Sequence, residues 1–187
     1  MEEEIDHCTG VLRSGGTILN PTDTIWGIGC DATNASAVEK IYYLKKRMET
    51  KSLIVLLDDA EKLSDYAGNI PEIAWDLLKS VDTPLTIIYP NARNLAKNVI
   101  AEDNSIAIRI VHDVFCKRLI ALFGKPIVST SANVSGDKTP LSLKDISAEI
   151  TGNVDYIVKY QPNNLPALKP SRIIKLKENG EFKIIRK

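Results

Sequence analysis

The sequence predicts an α/β (α+β) fold: one domain with a twisted mixed β-sheet flanked by helices. Three observations predict it. Short runs rich in branched apolar residues alternate along the chain with segments of helical period. One run, Leu53 to Leu57, is apolar throughout, as in a strand covered on both faces. Near the end, Arg172 to Lys177 and Glu181 to Arg186 flank Asn179-Gly180, a two-residue hairpin signal that makes the sheet mixed. At 187 residues the chain can bury a core without disulfides or metals. No repeat or linker divides it, so residues 1–187 are read as one domain.

The elements follow in order. Ile5, Cys8 and Leu12 share one helical face, and Gly15-Gly16 ends that helix. Thr17 to Asn20 is extended and stops at Pro21; Ile25 to Cys30 is the next strand. Ala35 to about Arg47 is helical, with Val38, Ile41 and Leu44 inward. Asp58 is expected to cap a short helix closing at Gly68, and Pro71 to open another carrying Ile73, Trp75, Leu77 and Leu78. Pro84 to Tyr89 and Ser105 to Ile110 are strand-like, and Asp113 caps a helix from Val114 to Phe123 that Gly124 stops. Pro126 to Ser129 is a short buried strand. Ser142 with Asp145 makes a capping-box start for a helix to Ile150, and Tyr156 to Val158 is a further strand. Gln161 to Pro170, with three prolines, is a loop whose position permits a lid.

Composition narrows the function classes. Twenty-four basic residues balance 24 acidic ones, so the chain as a whole carries no footprint for gripping a phosphate backbone. Cys8, Cys30 and Cys116 are scattered, which fits small core residues in a reducing compartment rather than zinc ligands. The acidic start Met1-Glu2-Glu3-Glu4 is unlike a secretory leader, and no apolar run reaches membrane-spanning length; a cytoplasmic protein is expected. His7 and His112 have no nucleophile beside them in sequence, which disfavours a histidine-dependent hydrolase.

Three polar segments stand where buried strands end, the usual place for ligands in interleaved α/β folds. Pro21-Thr22-Asp23-Thr24, leading into Trp26-Gly27-Ile28-Gly29, is on its own a proline-started turn. Its functional reading has Thr22 or Thr24 bonding a small polar ligand while Gly27 and Gly29 admit it to the backbone. Lys45-Lys46-Arg47 with Lys51 is on its own a set of cations at a helix C-terminus; its functional reading has Lys45 and Arg47 clamping phosphate. Ser129-Thr130-Ser131-Ala132-Asn133-Val134-Ser135-Gly136 holds more hydroxyl and amide groups than a turn needs, and offers neutral donors to phosphate or carboxylate oxygens. Arg109, inside an apolar run, needs a carboxylate partner from the protein or from a substrate.

Together these segments closely resemble the YrdC-like family, also called threonylcarbamoyl-AMP synthases, from about Gly15 to Arg186. The matching motifs are Pro21 to Gly29, Lys45-Lys46-Arg47, Pro84-Leu85-Thr86, Arg109-Ile110 and Ser131 to Gly136, in that order. The resemblance implies a YrdC/RibB-like fold in the short form without an extra C-terminal domain. It also implies condensation of L-threonine, bicarbonate and ATP, with Mg²⁺, into threonylcarbamoyl-AMP and pyrophosphate, and so a nucleotidyltransferase. A partner tRNA threonylcarbamoyl-transferase then modifies an adenosine of tRNA. Carried over residue by residue, Thr22, Thr24, Arg109, Ser129 and Ser171 bind threonine. Lys45, Arg47, Lys51, Ser105, Ser131, Asn133, Thr139 and Arg186 bind the nucleotide, Ser105 through its backbone, and Lys45 and Arg47 are the catalytic pair. No protein side chain is implied as a metal ligand; Mg²⁺ accompanies ATP. Where the family has proline, Asn-Pro and histidine, this chain has Met48, Lys51-Ser52 and Leu56. Two alternatives stand beside this reading: a tRNA- or double-stranded-RNA-binding protein without catalysis, and a paralogue that adenylates another amine.

Overall fold

The apolar run at residues 53–57 lies in the middle of a sheet. The computed structural model describes residues 1–46, 53–160 and 169–187. Among them the strands are β1 (Ile18–Asn20), β2 (Gly27–Asp31), β3 (Ile54–Leu57), β4 (Leu85–Tyr89), β5 (Ile106–Ile110), β6 (Ile127–Ser131), β7 (Tyr156–Ile157), β8 (Arg172–Leu176) and β9 (Phe182–Arg186). They form one sheet in the order β7-β1-β2-β6-β3-β5-β4-β8-β9. The pairs β1–β7, β3–β5 and β4–β8 are parallel and the rest antiparallel, so the sheet is mixed.

Neighbouring residues on a strand face opposite ways, and here they enter two separate cores. Ile18, Leu56 and Ile127 pack against Ile5, Cys8 and Leu12 of α1 (Glu2–Arg13) and Phe115, Leu119 and Ile120 of α5 (Val114–Phe123). Leu19, Val55, Leu57 and Val128 face the other way. They join Val38 and Ile41 of α2 (Ala35–Leu44), Leu63 of α3 (Leu63–Tyr66), Ala74 of α4 (Glu72–Ser80) and Ile150 of α6 (Ala148–Thr151). The result is three layers, helices over sheet over helices.

On the α1/α5 side the helices cover only part of the sheet. Leu56 pairs with Arg109, Arg109 with Thr86 and Thr86 with Ile173, a row crossing β3, β5, β4 and β8 on that same face. Beside it runs a second row, Ile54, Ala107, Ile88 and Lys175. Beyond β3 none of these residues belongs to the α1/α5 core. A stretch of sheet face is therefore left without a helix over it.

Several local expectations shift. The second helix ends at Leu44, because Lys45 is its C-cap and Lys46 turns to φ 48°. Asp59, not Asp58, caps the next turn by accepting from Glu61 N–H; Asp58 pairs with Lys62 at 2.8 Å. The Ser142/Asp145 box closes a single 3-10 turn, and α6 follows as a separate helix. The last hairpin has a three-residue loop: Lys177 N–H bonds Glu181 O, Gly180 N–H bonds Lys177 O, and only Gly180 (φ 85°) takes a left-handed conformation. That is a type I turn with a bulge rather than the two-residue turn that Asn-Gly suggests. The strand expected from Ser105 begins at Ile106, and that expected from Tyr156 to Val158 ends at Ile157. Gln161 to Leu168, most of the proposed lid, and residues 47–52 lie outside the described residues.

All three cysteines are buried and unpaired. Burial pushes the thiol of Cys8 up to about 12 and raises Cys30 and Cys116 as well. Among the described residues no helix is long and apolar enough to cross a membrane.

Because Leu57 sits in the central strand with its side chain in the larger core, Leu57→Ala is expected to cost about 2–5 kcal/mol. Urea unfolding measures it. The half-exposed Ile185 replaced by alanine should stay within about 0.5 kcal/mol of the parent.

Candidate functional site

The part of the sheet face that no helix covers carries the site. At its border the chain turns after β1, where Pro21 ends the strand and Thr22 organises the bend. Thr22 Oγ1 donates to Ile25 O at 2.8 Å and accepts from Thr24 N–H at 3.1 Å. Its one proton is thereby used, so the 2.9 Å contact between Thr22 Oγ1 and Thr24 Oγ1 has Thr24 as donor. The lone pairs of Thr24 remain to accept from a ligand. Gly27 follows at the start of β2. A Cβ there would stand 2.9 Å from Ser129 Oγ, so the missing side chain makes room for that hydroxyl. Gly29 serves a different end: its Cβ would meet Val128 O and Ile127, so it answers strand packing and not ligand access.

A cavity of about 270 Å³ lies on this floor. Thr22, Thr24, Arg109, Ser129 and Ser171 all line it, as do Ser131, Thr139 and Arg186. Ile54, Ile88, Ala107, Ile173 and Ile185 form its apolar parts. Seven strands, together with the turn after β1 and the loop that carries Thr139, thus contribute to one small hollow.

Its charge is positive. Among the described residues Arg109 and Arg186 are the charged members of the lining, and none of that lining is acidic. Arg109 is 4% exposed and meets Asp23 at 3.1 Å, also buried. The alignment is that of an ion pair and not of a hydrogen bond: Asp23 Oδ1 and Arg109 Nε are both buried without hydrogen-bond partners among the described residues. Asp23 Oδ2 takes a long bond, 3.5 Å, from His112 N–H. Arg186 donates through Nε to Ser171 O at 2.9 Å and through a terminal nitrogen to Ser171 Oγ at 3.2 Å. Thr86 Oγ1 lies 2.7 Å from the same Ser171 hydroxyl. Burial, and after it the charge of Arg109, lowers the pKa of Arg186. Two guanidiniums sharing a hollow with a single carboxylate behind them favour an anionic ligand.

Lys45 stands behind this hollow and not in its lining. It is 1% exposed, and its ammonium donates to Ser131 O at 2.5 Å and Asn133 O at 2.6 Å. Its own carbonyl accepts from Ser135 N–H at 2.9 Å. Both ends of Lys45 therefore tie the hydroxyl-rich loop to the end of α2. Asn133 is not in that lining either, and its amide donates to Asp137 O at 2.7 Å. Lys46 is exposed and pairs with Glu149 at 2.7 Å. Arg47 and Lys51 lie outside the described residues.

Ser105 is in an adjoining cavity of about 460 Å³ that shares Ile88 and Ala107 with the first. Its N–H and hydroxyl both go to Asp103, and its carbonyl accepts from Ala101 N–H. Lys175 at 2.5 Å, followed by Ser105, holds the Asp103 carboxyl down to about 2.

Asp23 and Thr86 escaped sequence reasoning. Asp23 reads as an ordinary turn residue between two threonines. Thr86 had a signal, a lone hydroxyl in the run Leu85-Thr86-Ile87-Ile88.

The same layered sheet recurs among known proteins. The profile of the Sua5/YciO/YrdC family, described as telomere recombination, matches residues 10–187. The chain belongs to the Sua5/YciO/YrdC family. Among curated members, threonylcarbamoyl-AMP synthase of Pseudoalteromonas translucida is 37% identical over 150 residues, 79% of this chain and 80% of that protein. The enzyme of the same name from Halorhodospira halophila is 30% identical over 169 residues, 90% of this chain and 88% of that protein. Among solved members, P. abyssi Sua5 complexed with L-threonine superposes with TM-score 0.86 at 28% identity, covering 94% of this chain and 52% of that one. The chain thus spans about half the length of that Sua5. E. coli YciO, at 22% identity, gives TM-score 0.86 over 100% of this chain and 90% of its own, a likeness of fold.

Replacing Lys45 by methionine keeps its length but strands the carbonyls of Ser131 and Asn133. Lys45→Met is expected to cost about 1–3 kcal/mol and to speed amide exchange at Ala132 and Ser135. Hydrogen-exchange mass spectrometry on the folded protein checks this.

Proposed function

We propose that this chain is a threonylcarbamoyl-AMP synthase, condensing L-threonine, bicarbonate and ATP into threonylcarbamoyl-AMP and pyrophosphate for tRNA threonylcarbamoyladenosine modification. One observation carries the reading: a buried guanidinium, that of Arg109, lines a hollow of amino-acid size beside the hydroxyl residues Thr24, Ser129 and Ser171. The names of the curated relatives support it.

In this reading the substrate carboxylate meets Arg109 and completes its bonding. Thr24, with lone pairs to spare, accepts from the threonine amine or hydroxyl. Ser129 and Ser171 supply further polar contacts, and Thr22 holds Thr24 in place. The amine attacks bicarbonate, forming a C–N bond as water leaves; a carbamate oxygen then attacks the α-phosphorus as pyrophosphate departs. Neither step needs a protein nucleophile, so the chain's work is to position reactants and to neutralise charge. Ser131, Thr139 and Arg186 are assigned to the phosphates, and the adjoining cavity at Ser105 gives the nucleoside room. Lys45 and Asn133 shape the loop that carries Ser131, and Arg47 and Lys51 are assigned to the phosphates by resemblance. Mg²⁺ enters with ATP. The reaction is placed in the cytoplasm, with a tRNA threonylcarbamoyl-transferase as consumer of the product.

A second reading, another amine in place of threonine, has one observation in its favour. Leu56, where the family carries histidine, is apolar and faces the α1/α5 core, so that position offers no polar contact to the substrate.

Pyrophosphate release is the test. It is expected to require both threonine and bicarbonate. Arg109→Gln should raise the KM for threonine by about 30-fold or more while leaving that for ATP nearly unchanged. Lys45→Ala and Arg47→Ala should each largely abolish release. Release that ignores threonine, or an Arg109→Gln enzyme with an unaltered threonine KM, removes this reading; release driven by a different amino acid selects the second.

A further inference from the structure

The sheet ends on an edge strand that is poorly protected. β9 pairs with β8 on one side, and no described strand meets the other. Phe182, Ile184 and Ile185 on this strand are each about half exposed, at 49%, 52% and 50%. Phe182 and Ile184, with Leu77, Val81, Leu85 and Ile174, form an apolar groove of about 370 Å³. Arg172, Arg186 and Lys187 complete its lining, which among the described residues holds no acidic side chain.

Unpaired N–H and C=O groups on an apolar edge are a template for another strand. Charge decides which strand. Lys183, Arg186 and Lys187 on β9 and just after it would bring six cations to one seam in an edge-to-edge pair of copies, which disfavours self-association. Among the described residues no ion pair engages Arg172, Lys183 or Lys187. The glutamates at the hairpin tip are engaged within the chain: Glu181 pairs with Lys177, and Glu178 accepts from Asn91. An acidic strand meets attraction where a second copy meets repulsion.

We propose that the β9 edge and its groove bind an extended segment of a partner protein in which apolar and acidic residues alternate. Main-chain bonds to β9 extend the sheet, the groove takes apolar side chains, and Arg172 and Lys187 meet carboxylates. Arg186 lines both this groove and the substrate cavity, so the partner's segment lies one residue's width from the site. The proposal does not rest on the adenylation chemistry, and its test uses binding alone.

The full-length chain, immobilised, is panned against a displayed library of random peptides, and enriched sequences are made synthetically and titrated calorimetrically. Enrichment of alternating apolar and acidic residues is expected. The charge-reversed Arg172→Glu/Lys187→Glu double variant and, separately, Ile184→Ser should each weaken binding about tenfold with circular dichroism unchanged. Enriched peptides without acidic bias, or affinity untouched in both variants, overturn the proposal. So does a concentration-dependent dimer that Ile184→Ser dissolves, since it gives the edge to a second copy.

Discussion

A guanidinium enclosed in a β-sheet demands counter-charge, and the arrangement of this molecule around Arg109 follows from that demand. The residue lies in β5, with Leu56 and Thr86 as its cross-strand neighbours. Asp23 answers part of the demand from the turn after β1, by charge more than by alignment. The same residue lines the hollow. A buried cation with one imperfect ion pair among the described residues is costly, and in the proposed reading an anionic substrate offsets that cost.

The hollow exists because two helices cover only part of one sheet face. Had α1 and α5 reached across β4 and β5, the rows through Ala107 and Arg109 would be core. Left open, the alternation that buries Val55 and Leu57 on one side delivers Ile54, Ala107, Arg109, Thr86 and Ile88 to the other. The turn at Thr22, the loop after β6 and the start of β8 then close three sides. Lys45 belongs to this architecture: its ammonium donates to two loop carbonyls and ties down the strand end that carries Ser131.

The layered, mixed sheet was legible because local signals agreed with one another. The unbroken run at 53–57, the caps at Asp113 and Gly124, and the alternation on the remaining strands each report a strong local preference. Helix ends were less legible. Lys45-Lys46-Arg47 reads as more helix, yet Lys46 takes a left-handed conformation that sequence does not reveal. The Asn-Gly pair marked the last turn but not its length, because a type I turn with a bulge also uses glycine. In the site, hydroxyl-rich loops were visible as an excess over what turns require. The ion pair of Asp23 with Arg109, and the separation of Ser105 and Asn133 from the main hollow, depend on strand order, which no local pattern encodes.

The cysteines carry a consequence of their own. Each thiol is sealed in a core, and burial keeps it protonated at neutral pH. A protonated, enclosed sulfur neither attacks disulfides nor reacts with peroxide or alkylating reagents at an appreciable rate. The folded molecule is therefore indifferent to redox poise, and its sulfurs become reactive only when the layers part, which turns them into built-in reporters of opening.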